Sequence, residues 1–295
     1  MILNVELRCI SCILNRGYLQ IQDATEHKSL QFETLSAILS FLAEEFKPTA
    51  NPAYLGTKRD RLIREMTGNP DPYKQKKQLS NQKALEVLPL AQNIIMKESS
   101  PEHRFRKACL SAIVGNIMEF DLPDNPFKFG NLENLIQEAE SDLAVDEIPQ
   151  IFKEAKNAKT VLYLTDNAGE IALDTLLVKE LKNLGAYVTV AVKDGPILND
   201  ATLEDAKVVG MDKVADRVMS TGSDSVGLFP EECSEEFLAL YRSVDFVVAK
   251  GMGHAETLTE LELPVPHALL LRSKCSTVAS YFGVATGKNI AKLLH

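Results

Sequence analysis

From Lys159 onward the chain alternates short apolar runs with stretches of helical periodicity, and this rhythm constrains its fold more than any other feature. The runs are Thr160–Thr165, Ala186–Val192, Arg217–Ser220, Asp245–Ala249 and Ala268–Leu271. Helical patterns at Ile171–Leu184, Leu203–Val209, Glu235–Arg242, Thr257–Leu261 and Thr277–Phe282 separate or follow them. Strand, helix, strand at this spacing predicts βαβ units and a mostly parallel sheet. The runs are continuously apolar rather than alternating, which fits a sheet covered on both faces.

The preceding residues read differently. Thr34–Phe46 places Leu35, Ile38, Leu39, Leu42 and Phe46 at intervals of three and four, one apolar stripe of a helix. Lys83–Met96 and Phe105–Phe120 repeat it, with breakers at Pro48, Pro52, Gly68-Asn69-Pro70, Ser100-Pro101 and Pro123–Pro126. No alternating strand is evident there. The 295 residues, 45% of them hydrophobic, suffice for two modest domains. The expected organisation is an N-terminal all-helical domain over residues 1–155, followed by a Rossmann-like α/β metal-binding catalytic domain over 156–295.

Charge and composition exclude several classes. The net charge of −9 argues against a broad nucleic-acid surface. No apolar run approaches the roughly 20 residues of a membrane span. Glu6 and Arg8 fall where a signal peptide would need an apolar core, and the five cysteines are too sparse for a disulfide framework. A cytoplasmic protein is expected. Cys9 and Cys12 form a C-x-x-C pair without a second pair, which leaves helix-face burial, a redox pair or metal binding with Cys275 open.

The chemistry gathers after the strands, at the edge where ligands bind in open parallel sheets. Asp166-Asn167-Ala168-Gly169-Glu170 follows the first run. Lys193-Asp194-Gly195-Pro196 and Asn199-Asp200-Ala201-Thr202 follow the second, and Thr221-Gly222-Ser223-Asp224 the third. Lys250-Gly251-Met252-Gly253-His254 and Arg272-Ser273-Lys274-Cys275 follow the fourth and fifth. Any one such loop is more often a turn and a helix cap than a site. Five with acids, amides, glycines and lysines point to one cleft. Asp166, Asn167 and Asp200 offer hard oxygen ligands suited to a divalent cation. Lys250 and Lys274 supply point charges for phosphate oxygens, and helix starts after Gly169, Gly222 and Gly251 add N–H donors. That set suits metal-assisted phosphoryl chemistry. The first loop lacks the D-x-D of an aspartyl-phosphate phosphatase, which favours a metal-activated water over a covalent aspartyl intermediate.

Together these motifs resemble the damage-control phosphatase family, also called the acidic residue methyltransferase 1-like or domain of unknown function 89 family. In the helical half the resemblance rests on Cys9 and Cys12, Thr67–Lys77 and Gly115–Asp121. In the α/β half it rests on Thr165–Asp174, Lys193–Thr202, Lys250–Leu258 and Leu270–Cys275. It implies a metal-dependent phosphatase acting on a small, damaged or side-product phosphometabolite such as a sugar phosphate. By motif, Asp166, Asn167 and Asp200 would ligate Mn²⁺, Co²⁺, Ni²⁺ or Mg²⁺. Lys250, Gly251, Gly253 and His254 would line the phosphate, with Asn199 beside them and Lys274 neutralising charge. Glu170 would orient water or a substrate hydroxyl, which makes Asp166, Asp200, Glu170 and Lys250 the expected catalytic set. Asn116 reads either as a core amide or as a substrate contact lowered from the helical half.

Two other classes compete. An S-adenosylmethionine-dependent carboxyl methyltransferase would want a glycine-rich first loop, where Asp166-Asn167 stands instead, although Asp194 could serve ribose hydroxyls. A non-enzymatic anion-binding protein would use the same cleft without turnover. Oligomeric state has no signature in the sequence.

Overall fold

The computed structural model describes residues 2–117 and 132–295, with side chains over 2–115 and 134–295. Among these, seven strands form one sheet: β1 (Leu143–Asp146), β2 (Thr160–Leu164), β3 (Tyr187–Val192), β4 (Arg217–Ser220), β5 (Phe246–Lys250), β6 (His267–Arg272) and β7 (Asn289–Leu294). Their order is β1-β7-β6-β5-β2-β3-β4, and every neighbouring pair is parallel except β6 with β7. This is the α/β architecture, with a mostly parallel sheet, that the alternating runs predict. Two strands escaped the sequence reading. β1 lies inside the stretch read as helical, which corrects the expectation of no strand there. Its four residues alternate between half-buried and exposed, a pattern too short to stand out. β7 follows no apolar run and is built into the sheet by its antiparallel pairing with β6.

The strands are apolar throughout because both faces are covered. On one face Val161, Tyr163, Val188, Val190, Phe246 and Val248 share a core with Ile171, Leu177 and Leu181 of α8 (Glu170–Asn183). Phe105 and Ile113 of α5 (Pro101–Ile117) and Val87 of α4 (Lys74–Met96) belong to the same core. On the other face Leu162, Leu164, Val247 and Leu269 pack with Phe237 and Tyr241 of α10 (Glu235–Tyr241). The alternation of neighbours such as Val161 and Leu162 between the two cores is the period-two geometry of a strand.

The first three helices, α1 (Cys9–Ala24), α2 (Lys28–Glu45) and α3 (Pro52–Thr67), form a smaller core of their own around Ile13, Ile21, Ile38, Leu42, Leu55 and Ile63. Local sequence delimits α3 sharply. The Asn51 side-chain Oδ1 accepts from Ala53 N and Tyr54 N at 2.8 and 3.2 Å, Pro52 begins the first turn, and Gly68 ends the helix in the left-handed region. Strand order reverses at the sheet centre: β3 and β4 lie to one side of β2, β5 and β6 to the other. The loops leaving β2 and β5 part there and open a crevice, where ligands bind in such sheets.

Candidate active site

Short backbone ladders bring the two acids together. The loop after β2 meets the loop after β3 through a bridge between Asn167 and Asp200, with Ala168 N donating to Asn199 O at 2.8 Å and Ala201 N to Asp166 O at 2.8 Å. Gly169 turns the chain into α8 with φ 79°, and a Cβ there would fall 2.9 Å from the Ser80 Cβ. Its N–H donates to Asn81 Oδ1 at 2.7 Å, so α4 braces the turn. From the opposite lip, Gly251 approaches Asp166 so closely that a Cβ would sit 2.0 Å from Oδ2. Only glycine permits that approach at its φ of 79°.

Asn167 lies between the carboxylates and donates Nδ2 to Asp166 Oδ2 at 2.8 Å and to Glu170 Oε2 at 3.0 Å. Burial, followed by Glu170 and Asp200, pushes the Asp166 carboxyl well above the usual carboxylate range. Burial raises Asp200 too, against the opposing pull of Lys193. Both shifts mark negative charge held in a poorly solvated place. Among the described residues no three His, Cys, Asp or Glu side chains are placed to hold a metal ion. The fitting donor set is two carboxylates and an amide, with the remaining positions left to water and substrate. Such hard, anionic oxygen donors suit a divalent cation, whose charge would offset the repulsion between the acids.

The other sequence-predicted residues divide. Asn199, Gly253 and Lys274 line the same cavity as Asp166, Asn167 and Asp200. Lys250, expected on the phosphate, points elsewhere, which corrects its placement. Its fully buried ammonium donates to Glu170, to Asp174 Oδ1 at 3.0 Å and to Ala112 O at 3.0 Å, which occupies all three of its donors. Burial opposes its charge, but Asp174 and Glu170 outweigh that and hold its pKa above the ordinary lysine value. Lys250 is therefore a positioning residue: it holds Glu170, which in turn holds Asn167. Gly115 of α5 passes so near that a Cβ would lie 3.1 Å from Glu170 Cγ. His254 also turns inward. Its Nδ1–H donates to Lys250 O at 2.6 Å, and burial pushes its pKa down to about 3, so the ring is neutral. The Asn116 side chain lies outside the described residues.

Several residues that complete the site carry no role in the sequence reading, where Lys193 and Met252 stand only within their loops. Lys193 is buried, donates to Gly227 O at 2.5 Å and stands 3.9 Å from Asp200 Oδ2. Arg16, Leu198, Val226, Met252 and Glu256 close the cavity. Leu198 takes the left-handed φ of 47°, unusual for a branched residue, and its N–H donates to Asp60 Oδ1 of α3 at 3.1 Å. Asp60 thus holds the turn that presents Asn199 and Asp200. Nothing in the sequence marks Asp60, because Lys58, Arg59, Arg61, Arg64 and Glu65 share the same helix. The cysteines are all free, and Cys12 is exposed rather than on a buried face. No helix among the described residues is long and apolar enough to cross a membrane.

The family model described as the damage-control phosphatase ARMT1-like domain matches residues 5–290. An uncharacterised protein of Methanocaldococcus jannaschii is 36% identical, over 97% of this chain and 94% of that one. A protein named damage-control phosphatase from Archaeoglobus fulgidus is 34% identical, over 97% of this chain and 98% of its own length. The crystal structure of a DUF89 family protein from Pyrococcus horikoshii superposes with a TM-score of 0.85 at 31% identity, covering 98% of both chains.

Proposed function

This chain belongs to the damage-control phosphatase ARMT1-like family, and from that premise we propose that it is a divalent-metal-dependent phosphatase of a small phosphorylated metabolite. The observation that carries the reading is the pairing of Asp166 and Asp200 across the Asn167–Asp200 bridge, inside a cleft that Lys274 also lines. In this reading residues 156–295 supply the chemistry, and residues 1–155 supply a wall of the cleft.

Asp166, Asn167 and Asp200 would hold the cation, with Mn²⁺, Co²⁺, Ni²⁺ and Mg²⁺ all compatible with oxygen donors. When bound, a divalent cation polarises the phosphoryl group and lowers the pKa of water at the site. The chain's own groups do the rest. Lys274 balances phosphate charge, Asn199 and the Gly253 backbone orient the ester, and Glu170 keeps Asn167 in place under the restraint of Lys250. The low exposure of the acids limits competing solvent, which strengthens each of these interactions.

The test is phosphate release from a panel of phosphometabolites after chelation with EDTA and restoration of each cation. Metal-restored turnover is expected, reduced on the order of a hundredfold or more in Asp200→Ala with its thermal midpoint retained. Absence of release with every cation, or full activity in Asp200→Ala, overturns the reading.

A further inference from the structure

The cleft continues beyond the acids into a larger chamber of about 500 Å³, between α1, α3 and the loop after β6. The two spaces share Arg16, Leu198, Val226, Met252, Glu256 and Lys274, so they are continuous. The exposed wall of the chamber is mostly apolar, unlike the acid end of the cleft. Leu198 and Val226 stand at the junction, and Ile13, Pro52 and Ala53 belong to the chamber alone. Sulfur is concentrated there: the free thiols of Cys9, Cys12 and Cys275 share the wall with the Met252 thioether. Free thiols pack as small hydrophobes, and a thioether makes favourable contacts with aromatic rings.

The charged groups of the wall are engaged elsewhere. Arg8 pairs with Glu6 at 2.7 Å. Arg59 Nε and Nη2 have no accessible surface, so they do not open into the chamber. Burial pushes the Glu256 carboxyl up to about 7, against the pull of Arg16. No Asn, Gln or Asp lines the chamber among the described residues, so the planar acceptors that would take the hydroxyls of a polyol are scarce.

Gly56 keeps the space open. It lines the chamber from within α3, and a Cβ there would meet no atom within 4 Å. Its φ is not positive, so the backbone does not require glycine either. Glycine inside a helix weakens it, and here no neighbouring protein group uses the room. An aromatic ring fits an apolar cavity of about 150 Å³, so the chamber has space for one on a short tether.

We propose that this chamber is a subsite for an apolar, preferably aromatic, group on the substrate. The substrate class is a phosphomonoester whose alcohol carries such a group a few carbons from the reacting phosphate, rather than a bare sugar phosphate. The inference rests on the phosphatase reading, because it assigns the acid end of the cleft to the ester that is cleaved.

Three esters of primary alcohols test it, so that their leaving groups are alike: propyl phosphate, 3-phenylpropyl phosphate and glucose 6-phosphate, assayed with Mn²⁺ restored. The aromatic ester is expected to exceed the other two in kcat/KM by about tenfold to a hundredfold, through KM, as burial of one ring would give. Gly56→Leu fills the chamber and should bring the ratio toward one. Cys12→Asp places a charge in the exposed wall and should lower it. No advantage over propyl phosphate, cleavage of glucose 6-phosphate as efficient as that of the aromatic ester, or an unchanged ratio in Gly56→Leu overturns the subsite. Should Gly56→Leu not fold, the wild-type ratio and Cys12→Asp still decide. If none of the three is cleaved, thermal shifts decide the subsite separately, whereas the phosphatase reading falls only when the wider panel fails as well. A larger rise in midpoint with 3-phenylpropyl phosphate than with propyl phosphate supports the subsite, and equal rises overturn it.

Discussion

The sheet with its covering helices and the layer made by α1–α3 meet at the cleft, and they are held by different forces. The sheet is sealed by two apolar cores, and the ions buried near it are paired, as Lys250 is with Glu170 and Asp174. The α1–α3 layer has its own small apolar core but is fastened to the loops at the sheet edge by polar groups. Arg61 bonds Asp224 and Glu232, Arg64 bonds Asp224 at 2.5 Å, and Thr57 Oγ1 accepts from Val226 N at 3.0 Å. Asn51 Nδ2 donates to Glu256 O at 2.8 Å and to Glu260 at 2.9 Å. Apolar burial is insensitive to charge state, whereas ion pairs respond to salt and pH. The proposed chemistry therefore sits on the layer sealed by apolar cores, and Arg16, which lines the cleft, sits on the one docked through polar contacts.

The largest expected effect breaks the sheet side. Lys250→Met should cost about 3–5 kcal/mol, because it leaves two buried carboxylates without their cation. Urea unfolding would measure it, and a loss under about 1 kcal/mol would show that Glu170 and Asp174 find other partners.

Acid should separate the two layers. His267 is buried between Tyr241 OH, 2.8 Å from Nε2, and Val265 O, 2.7 Å from Nδ1, and burial lowers its pKa to about 4. The unfolded chain takes up the proton first, so this stabilisation is complete above about pH 6.5 and falls away as the pH drops toward 4. At most about 3 kcal/mol is at stake. His267→Gln should flatten that slope in urea midpoints measured between pH 7 and 4, and an unchanged slope would place the proton uptake elsewhere. The docking carboxylates behave otherwise. Arg64 and Arg61 hold Asp224 below the usual range against the effect of burial, and Arg61 does the same for Glu232. Their contribution is present above the ordinary carboxylate pKa and is lost only below it. The docked layer should thus keep its ion pairs across the window in which the His267 contribution is lost.

The smallest effect sharpens the contrast. Arg61→Ala removes two half-buried ion pairs and should cost about 1–2 kcal/mol, less at high salt. Hydrogen exchange should rise in α3 ahead of β2 and β5, and a uniform rise would mean that the layers unfold as one.

How far the chain could be read follows the range of the forces involved. Five of the seven strands, β2 to β6, and their order along the chain were legible because apolar periodicity is local. That Asp166, Asn167 and Asp200 meet in one cleft was legible for a related reason, since the loops after parallel strands converge on one edge whatever their composition. β1 was not, because four half-buried residues carry too little pattern. Lys250 was misplaced because its position at the end of β5 says that it leaves the sheet but not toward which face, and its partner Glu170 lies 80 residues away. Arg59 and Asp60 were invisible for the same reason, since nothing within α3 distinguishes a surface charge from one turned inward.

By itself the sequence determined the alternating architecture, the sheet edge where acids, amides and lysines gather and the kind of donor offered there. Only the tertiary structure decided which charges are paired beneath the site and which are left to face the cleft, because that choice depends on contacts between segments that periodicity cannot relate.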